Sequence, residues 1–174
     1  MLLKQADVGL GFRAVKGGSS SGTDLDCPAL DESDLTVTGE ADSPKFTSGL
    51  HTIGSAAALY ATLGDANTSW RRGTSRAGFE CLTDGFRRLA RSSGLRHISF
   101  RKVPFPSLAP RTIAYRWQVL AGGVRVYTDF VFLMRGRAQA TTYFIAGIDP
   151  LDRSEQLRLA RLVSNRMTKA MQGA

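Results

Sequence analysis

RTIAYRWQVLAGGVRVYTDFVFLMRGRAQATTYFIAG, residues 111–147, is the stretch that decides the fold. Ala121-Gly122-Gly123-Val124 is the signal of a two-residue hairpin loop. If Ala121 and Val124 flank that loop, Val119 faces Val126, Trp117 faces Thr128, Tyr115 faces Phe130 and Ile113 faces Phe132. One surface is then continuously apolar. That fixes the register, because a slip of one residue would turn every side chain to the other face. A second turn at Gly136-Arg137 sends the chain back through Thr141, Tyr143 and Ile145, which extend the same surface. The segment predicts a three-strand antiparallel meander.

Working outward, residues 95–103 alternate, with Ile98 and Phe100 on one side and His97, Ser99 and Arg101 on the other, until Pro104-Phe105-Pro106 breaks the strand. Residues 75–92 place Phe79, Leu82, Phe86 and Leu89 at helical spacing, with Ser75 as N-cap and Gly94 as the stop. Residues 151–171 form a closing helix. Asp149-Pro150 is read as its start, and Leu159, Leu162, Val163, Met167, Ala170 and Met171 as its stripe. Residues 35–47 and 50–62 read as two strands, with Pro44 at an edge or bulge because it cannot donate to a ladder. Residues 2–8 read as a short helix and 16–34 as a loop rich in Gly, Ser and Asp. The expected order is α-ββ-α-ββββ-α. This is the α+β class, with helices packed on an antiparallel sheet of about six strands. With 174 residues, 43% apolar and 22% charged, and no internal repeat or long linker, the chain reads as one domain, 1–174.

The net charge of +8 is unevenly spread. Residues 1–65 hold nine acids and four bases, and residues 66–174 hold six acids and nineteen bases. The stretch 71–116 is densest, with eleven bases against Glu80 and Asp84. Such asymmetry is expected either of a surface for an anionic partner or of acidic and basic parts that neutralise each other inside the fold. Trp70-Arg71-Arg72 is the nearest approach to a basic-aromatic nucleic-acid motif, and no zinc finger, RNA-recognition signature or basic zipper accompanies it. Nucleic acid is therefore the alternative partner, through 71–116, and not the first.

Cys27 and Cys81 stand 54 positions apart, in no C-x-x-C pair. The polar stretch around Cys27 has little else to tie it down, and a disulfide to the helix carrying Cys81 is expected. Such a bridge places the protein in an oxidising, extracytoplasmic compartment. Met1-Leu2-Leu3-Lys4 is too short an apolar run for a secretion signal, so either a signal or anchor has been removed upstream, the favoured expectation, or the protein is cytosolic and its thiols are free. Two His and two Cys cannot build a His/Cys metal cluster, and no motif implies a cofactor.

The meander register makes one sharp prediction on its second face. Arg116 falls opposite Asp129, Tyr127 opposite Gln118 and Phe144 opposite Asp129. Arg116, Gln118, Tyr127 and Asp129, beside Val131, Leu133 and Phe144, are candidate ligand contacts at the tip of an apolar pocket. The competing reading is an ordinary cross-strand ion pair on a solvated face. His51 and His97 are the bases available to a hydrolase or isomerase that used Arg116 and Asp129. No G-x-S-x-G elbow or phosphate loop is present, so no catalytic residue is assigned.

The early helix (Leu2 to Val8), the Cys27-Pro28 loop, the paired strands, the Cys81 helix, the meander and the closing helix together form a layout. It resembles the extracytoplasmic sensor domains of actinobacterial receptor Ser/Thr kinases of the PknH type, and the small lipoproteins similar to them. It is also similar to the PsbP-like layout. The resemblance implies a non-enzymatic module with a cleft for a ligand; the expected partner is a small molecule or a cell-envelope component, and membrane attachment through a removed N-terminal anchor is a further expectation. It supplies no site residue by position.

Overall fold

The computed structural model describes residues 1–15 and 25–172. Part of the predicted 16–34 loop therefore lies outside the described residues. The elements are β1 (Arg13–Val15), β2 (Val37–Asp42), β3 (Lys45–Ser48), β4 (His51–Tyr60), α1 (Leu63–Thr74), α2 (Arg76–Ser92), β5 (Arg96–Lys102), β6 (Arg111–Ala121), β7 (Val124–Arg135), β8 (Ala138–Gly147) and α3 (Arg153–Gln172). They form the α+β arrangement expected, with eight strands where about six were predicted.

All strands pair antiparallel in the order β1-β3-β4-β8-β7-β6-β5, and β2 lies along β4 outside that path. β2 and β3 share one edge of the long β4. β2 pairs its second half and β3 its first. The predicted strand 35–47 is thus one ribbon broken at Ser43-Pro44. Where proline cannot donate, Ser43 repairs the ladder, its N–H reaching Ser55 O and its hydroxyl accepting from Ser55 N–H.

The meander register is the one read from sequence, pair for pair, from Val119↔Val126 to Ile113↔Phe132. Gly122 and Gly123 have φ of 55° and 85°, and Gly136 has φ of 57°, so each tight turn carries glycine where a side chain would be strained. Ser75 caps α2 by accepting from Gly78 N–H, and Gly94 (φ 67°) ends it, with Leu95 N–H returning to Ala90 O.

Four expectations need correction. Residues 2–8 give only a 3₁₀ turn, Gln5–Asp7, because the chain before it is held against the sheet: Leu3 is buried with its N–H on Ser55 Oγ, and Lys4 is extended. The closing helix starts at Arg153, capped by Asp152, whose Oδ1 accepts from Ser154 and Glu155 N–H. Asp149-Pro150 instead belongs to the crossing from β8, where Ile148 takes φ of 73° and its N–H bonds Arg125 O. β1 is a short exposed edge strand with no apolar alternation to announce it. α1 is an additional helix. It holds two glycines and several poor helix formers, and only Ala66 and Trp70 face inward as apolar side chains. Tertiary contact stabilises it: Gln139 donates to Ala66 O, and Thr62 caps its first turn.

α3 covers one face of the sheet. Leu159, Ala160, Val163 and Met167 are fully buried against Phe46, Ile53, Val131, Leu133 and Phe144. Ala138, Ala140 and Ala146 on β8 keep that face flat enough for the helix to approach. α2 crosses the opposite face, where Phe79 and Phe86 meet Phe100, Tyr115, Trp117 and Phe130 at ring-centroid distances of 4.8–5.6 Å. Gly78 makes the α1–α2 corner possible, because a Cβ there would lie 2.0 Å from Arg72 O.

Candidate functional site

The Cys27–Cys81 disulfide is formed, with an S–S distance of 2.00 Å. It fits an oxidising, extracytoplasmic compartment. It ties the coil before β2 to the outer side of α2, and three further contacts reinforce it. Arg88 donates to Leu25 O and Asp26 O, Leu25 packs on Gly85, and Arg72 makes a bidentate pair with Asp34 at 2.6 and 2.8 Å. Basic helices here neutralise an acidic N-terminal coil, and Arg166 does the same for Asp7. α2 is thereby held from behind while its apolar face spans the sheet.

Beyond the inner edge of α2, that face of the sheet is only partly covered. A cleft of about 730 Å³ opens there. Its walls and floor come from α2 (Phe86, Leu89), β6 (Trp117), β7 (Thr128, Phe130, Phe132), β8 (Thr141, Tyr143, Ile145), β4 (Thr52, Ala56), β3 (Lys45, Thr47) and β1 (Val15). The volume lies within the ~300–1,000 Å³ common among ligand pockets. Trp117, Phe130, Phe132, Tyr143 and Ile145 are only half-buried. The side chains follow three cross-strand rows. Thr47, Thr52, Ile145, Thr128 and Trp117 make one row. Gly54, Tyr143, Phe130 and Tyr115 make the second. Ala56, Thr141, Phe132 and Ile113 make the third. A smaller cavity of about 190 Å³ lies on the other side of Phe132, between α1, α2 and the floor, and includes Trp70, Leu82 and Ile113.

The wall is polar where it needs to be. A Cβ on Gly54 would sit 2.2 Å from the Tyr143 hydroxyl, so the absent side chain is what lets the phenol lie across β4. Burial, with the charge of Asp42 adding to it, pushes the Tyr143 phenol above its ordinary pKa and keeps it a donor. His97 is fixed outside the cleft. Its Nδ1 accepts from Trp117 Nε1 at 3.1 Å, and burial together with the Arg87 charge holds the ring below the usual imidazole range. The ring is thus a neutral acceptor that orients the indole. His51 opens β4 opposite Ser48 and Ala146.

The four residues predicted as ligand contacts are brought together, on the face under α3. Arg116 clasps Asp129 through Nε and Nη2 at 2.6 and 2.8 Å, and its guanidinium lies 5.5 Å from the Tyr127 ring centre. Gln118 accepts from the Ser99 hydroxyl. Gln156 of α3, which sequence reasoning did not single out, donates to the second Asp129 oxygen at 2.8 Å. Asp129 is 3% exposed and Gln156 1%. Neither residue lines the cleft, which lies on the other side of the sheet. The cleft residues were legible as an apolar surface, but nothing local in the sequence says that α2 leaves half of it uncovered.

Among the described residues no three His, Cys, Asp or Glu side chains are grouped as a metal site, and no helix is long and apolar enough to cross a membrane. Comparison of the sequence with protein-family profiles and with curated proteins finds no match. Among solved structures, the crystal structure of human STARD10 aligns over 92% of this chain and 79% of its own, at 10% identity and a TM-score of 0.14, a likeness that carries no argument.

Proposed function

We propose that this chain is a non-catalytic, extracytoplasmic binding domain that takes a small, largely apolar ligand into the cleft between α2 and the sheet. The observation that carries this reading is the partly exposed aromatic floor in a cavity of about 730 Å³. Leaving Trp117, Phe130, Phe132 and Ile145 partly wet forgoes apolar burial that a ligand would recover, at roughly 25 cal/mol per Å². The disulfide behind α2 keeps the cleft's roof in place, which lowers the ordering cost of binding. The sensor-like layout, secretion and an N-terminal anchor belong to this same proposal, with a cell-envelope component as the ligand's source. Asp129, held by Arg116, then serves to seat α3 through Gln156 rather than to touch ligand, and Gln118 and Tyr127 sit beside it on the same face.

The test is titration with N-phenyl-1-naphthylamine, an uncharged dye that fluoresces in apolar surroundings. Saturable one-site binding to the native protein is expected. Thr141→Trp, which fills the floor, removes the binding while circular dichroism remains native. Absence of dye binding, or equal binding by the folded Thr141→Trp protein, refutes the proposal.

A further inference from the structure

The cleft has a direction. Its deep end, under α2, is aromatic and aliphatic: Phe86, Leu89, Trp117 and Phe130. Its middle, across β8 and β4, offers Tyr143 and hydroxyls from Thr52 and Thr141. Its outer end, on β3, carries Lys45. The register makes this gradient a single line. Phe46 pairs with Ile53, so Lys45, one residue earlier, falls opposite Gly54; Gly54 pairs with Tyr143, and Tyr143 with Phe130. Four interstrand steps of ~4.8 Å separate β3 from β6, so the line runs about 19 Å from Lys45 to the β6 wall.

A second cation stands at the same end. Arg13 pairs with Thr47, and cross-strand partners share a face, so Arg13 and Lys45 lie on the cleft side of the sheet on adjacent edge strands. Both are exposed, and neither forms an ion pair with a carboxylate among the described residues. Asp42 falls opposite Ala56 at the end of β2, and its charge reaches Tyr143. It falls two positions along β4 from Gly54, on the same face as Lys45, and is not among the residues that line the cleft.

We infer that the cleft selects a single-chain anionic amphiphile, with its hydrocarbon tail along Tyr143 and Phe130 towards Phe86, and its carboxylate or phosphate monoester head at Lys45 and Arg13. This rests on the binding reading above and adds the ligand's class and orientation. The tail contributes burial without specificity, and the head supplies the discrimination, because an anion gains two charge-assisted contacts that an alcohol lacks and a quaternary ammonium is repelled by both cations.

The experiment displaces N-phenyl-1-naphthylamine from the native protein with laurate, dodecyl phosphate, dodecanol and dodecyltrimethylammonium, each below its micelle concentration. Laurate or dodecyl phosphate, or both, should displace the dye about tenfold more effectively than dodecanol, with the ammonium weakest; whichever acid leads identifies the head. The double variant Arg13→Glu/Lys45→Glu should lose or reverse the preference, read as the ratio of acid to dodecanol displacement measured against that variant's own dye affinity. Equal displacement by all four overturns the inference and leaves the apolar cleft standing. A preference for the acids that survives in the double variant overturns the placement of the head. No dye binding at all overturns this inference together with the proposal beneath it.

Discussion

Asp129→Ala removes the acceptor of three hydrogen bonds, two part-buried ones from Arg116 and a buried one from Gln156. The Asp129 side chain is 4% exposed and that of Arg116 is 19%, so the arginine left behind has little water to turn to. Removing one partner of a buried pair costs about 3–5 kcal/mol, and the partial exposure of Arg116 puts the expectation near the lower end. Gln156 would lose its anchor at the same time, and α3 would lose its polar link to β7. The effect would appear in urea unfolding followed by far-ultraviolet circular dichroism. With a slope of about 2 kcal/mol/M, the midpoint should fall by roughly 1.5 M. The control removes both charges. Arg116→Met with Asp129→Leu leaves no unpaired ion and should stay within ~1 kcal/mol of the native protein. A single variant within ~1 kcal/mol of native would refute the argument that this pair is a buried anchor. So would a double variant as damaged as the single one.

Two further expectations follow from particular contacts. Cys27→Ser with Cys81→Ser opens a loop of about 55 residues, which should cost roughly 4 kcal/mol on the chain-entropy model; urea unfolding reads it, and thiol titration of the unfolded, unreduced native protein should find no free thiol. The Tyr60 phenol, buried beside Ser69 and donating to Glu32, is pushed up to about 12, chiefly by burial. Its raised pKa means that the folded state holds the proton more tightly than the unfolded chain does. The corresponding stability is complete below pH ~10. It is lost as pH rises towards about 12. Tyr60→Phe should show a shallower loss over that window in pH-dependent denaturation, and an unchanged slope would refute the assignment.

The meander, its pairing partners and its two tight turns were legible because they depend on local signals: a Gly-Gly dipeptide, a Gly after Arg135, and an alternation that only one register satisfies. The Cys27–Cys81 link was legible too, from a polar coil in whose sequence little else could tie it down. The Arg116–Asp129 pair followed from the same register. Its environment did not. From the sequence, the surface with Trp117, Phe130 and Tyr143 reads as the core, and the surface with Arg116 and Asp129 reads as a pocket tip or a solvated face. The structure gives the more complete burial to the second, where α3 packs over the alanines of β8, while α2 covers only part of the aromatic face. The bulky side chains that make the aromatic face continuously apolar are covered by α2 over only part of their extent, and the cleft lies beside the helix.

Local chain chemistry, then, determined the α+β class, the strand register, the helix that carries Cys81 and the partners across each turn. Tertiary packing decided which face would be sealed. It also decided that α1 would form against its own weak propensity, that Asp152 would cap α3, and that Lys45 would come into line with Tyr143 and Phe130. Register depends on neighbours a few residues away and is written in the sequence. The choice of covered face depends on how closely a distant helix can approach, and that is settled only when all the side chains are in place.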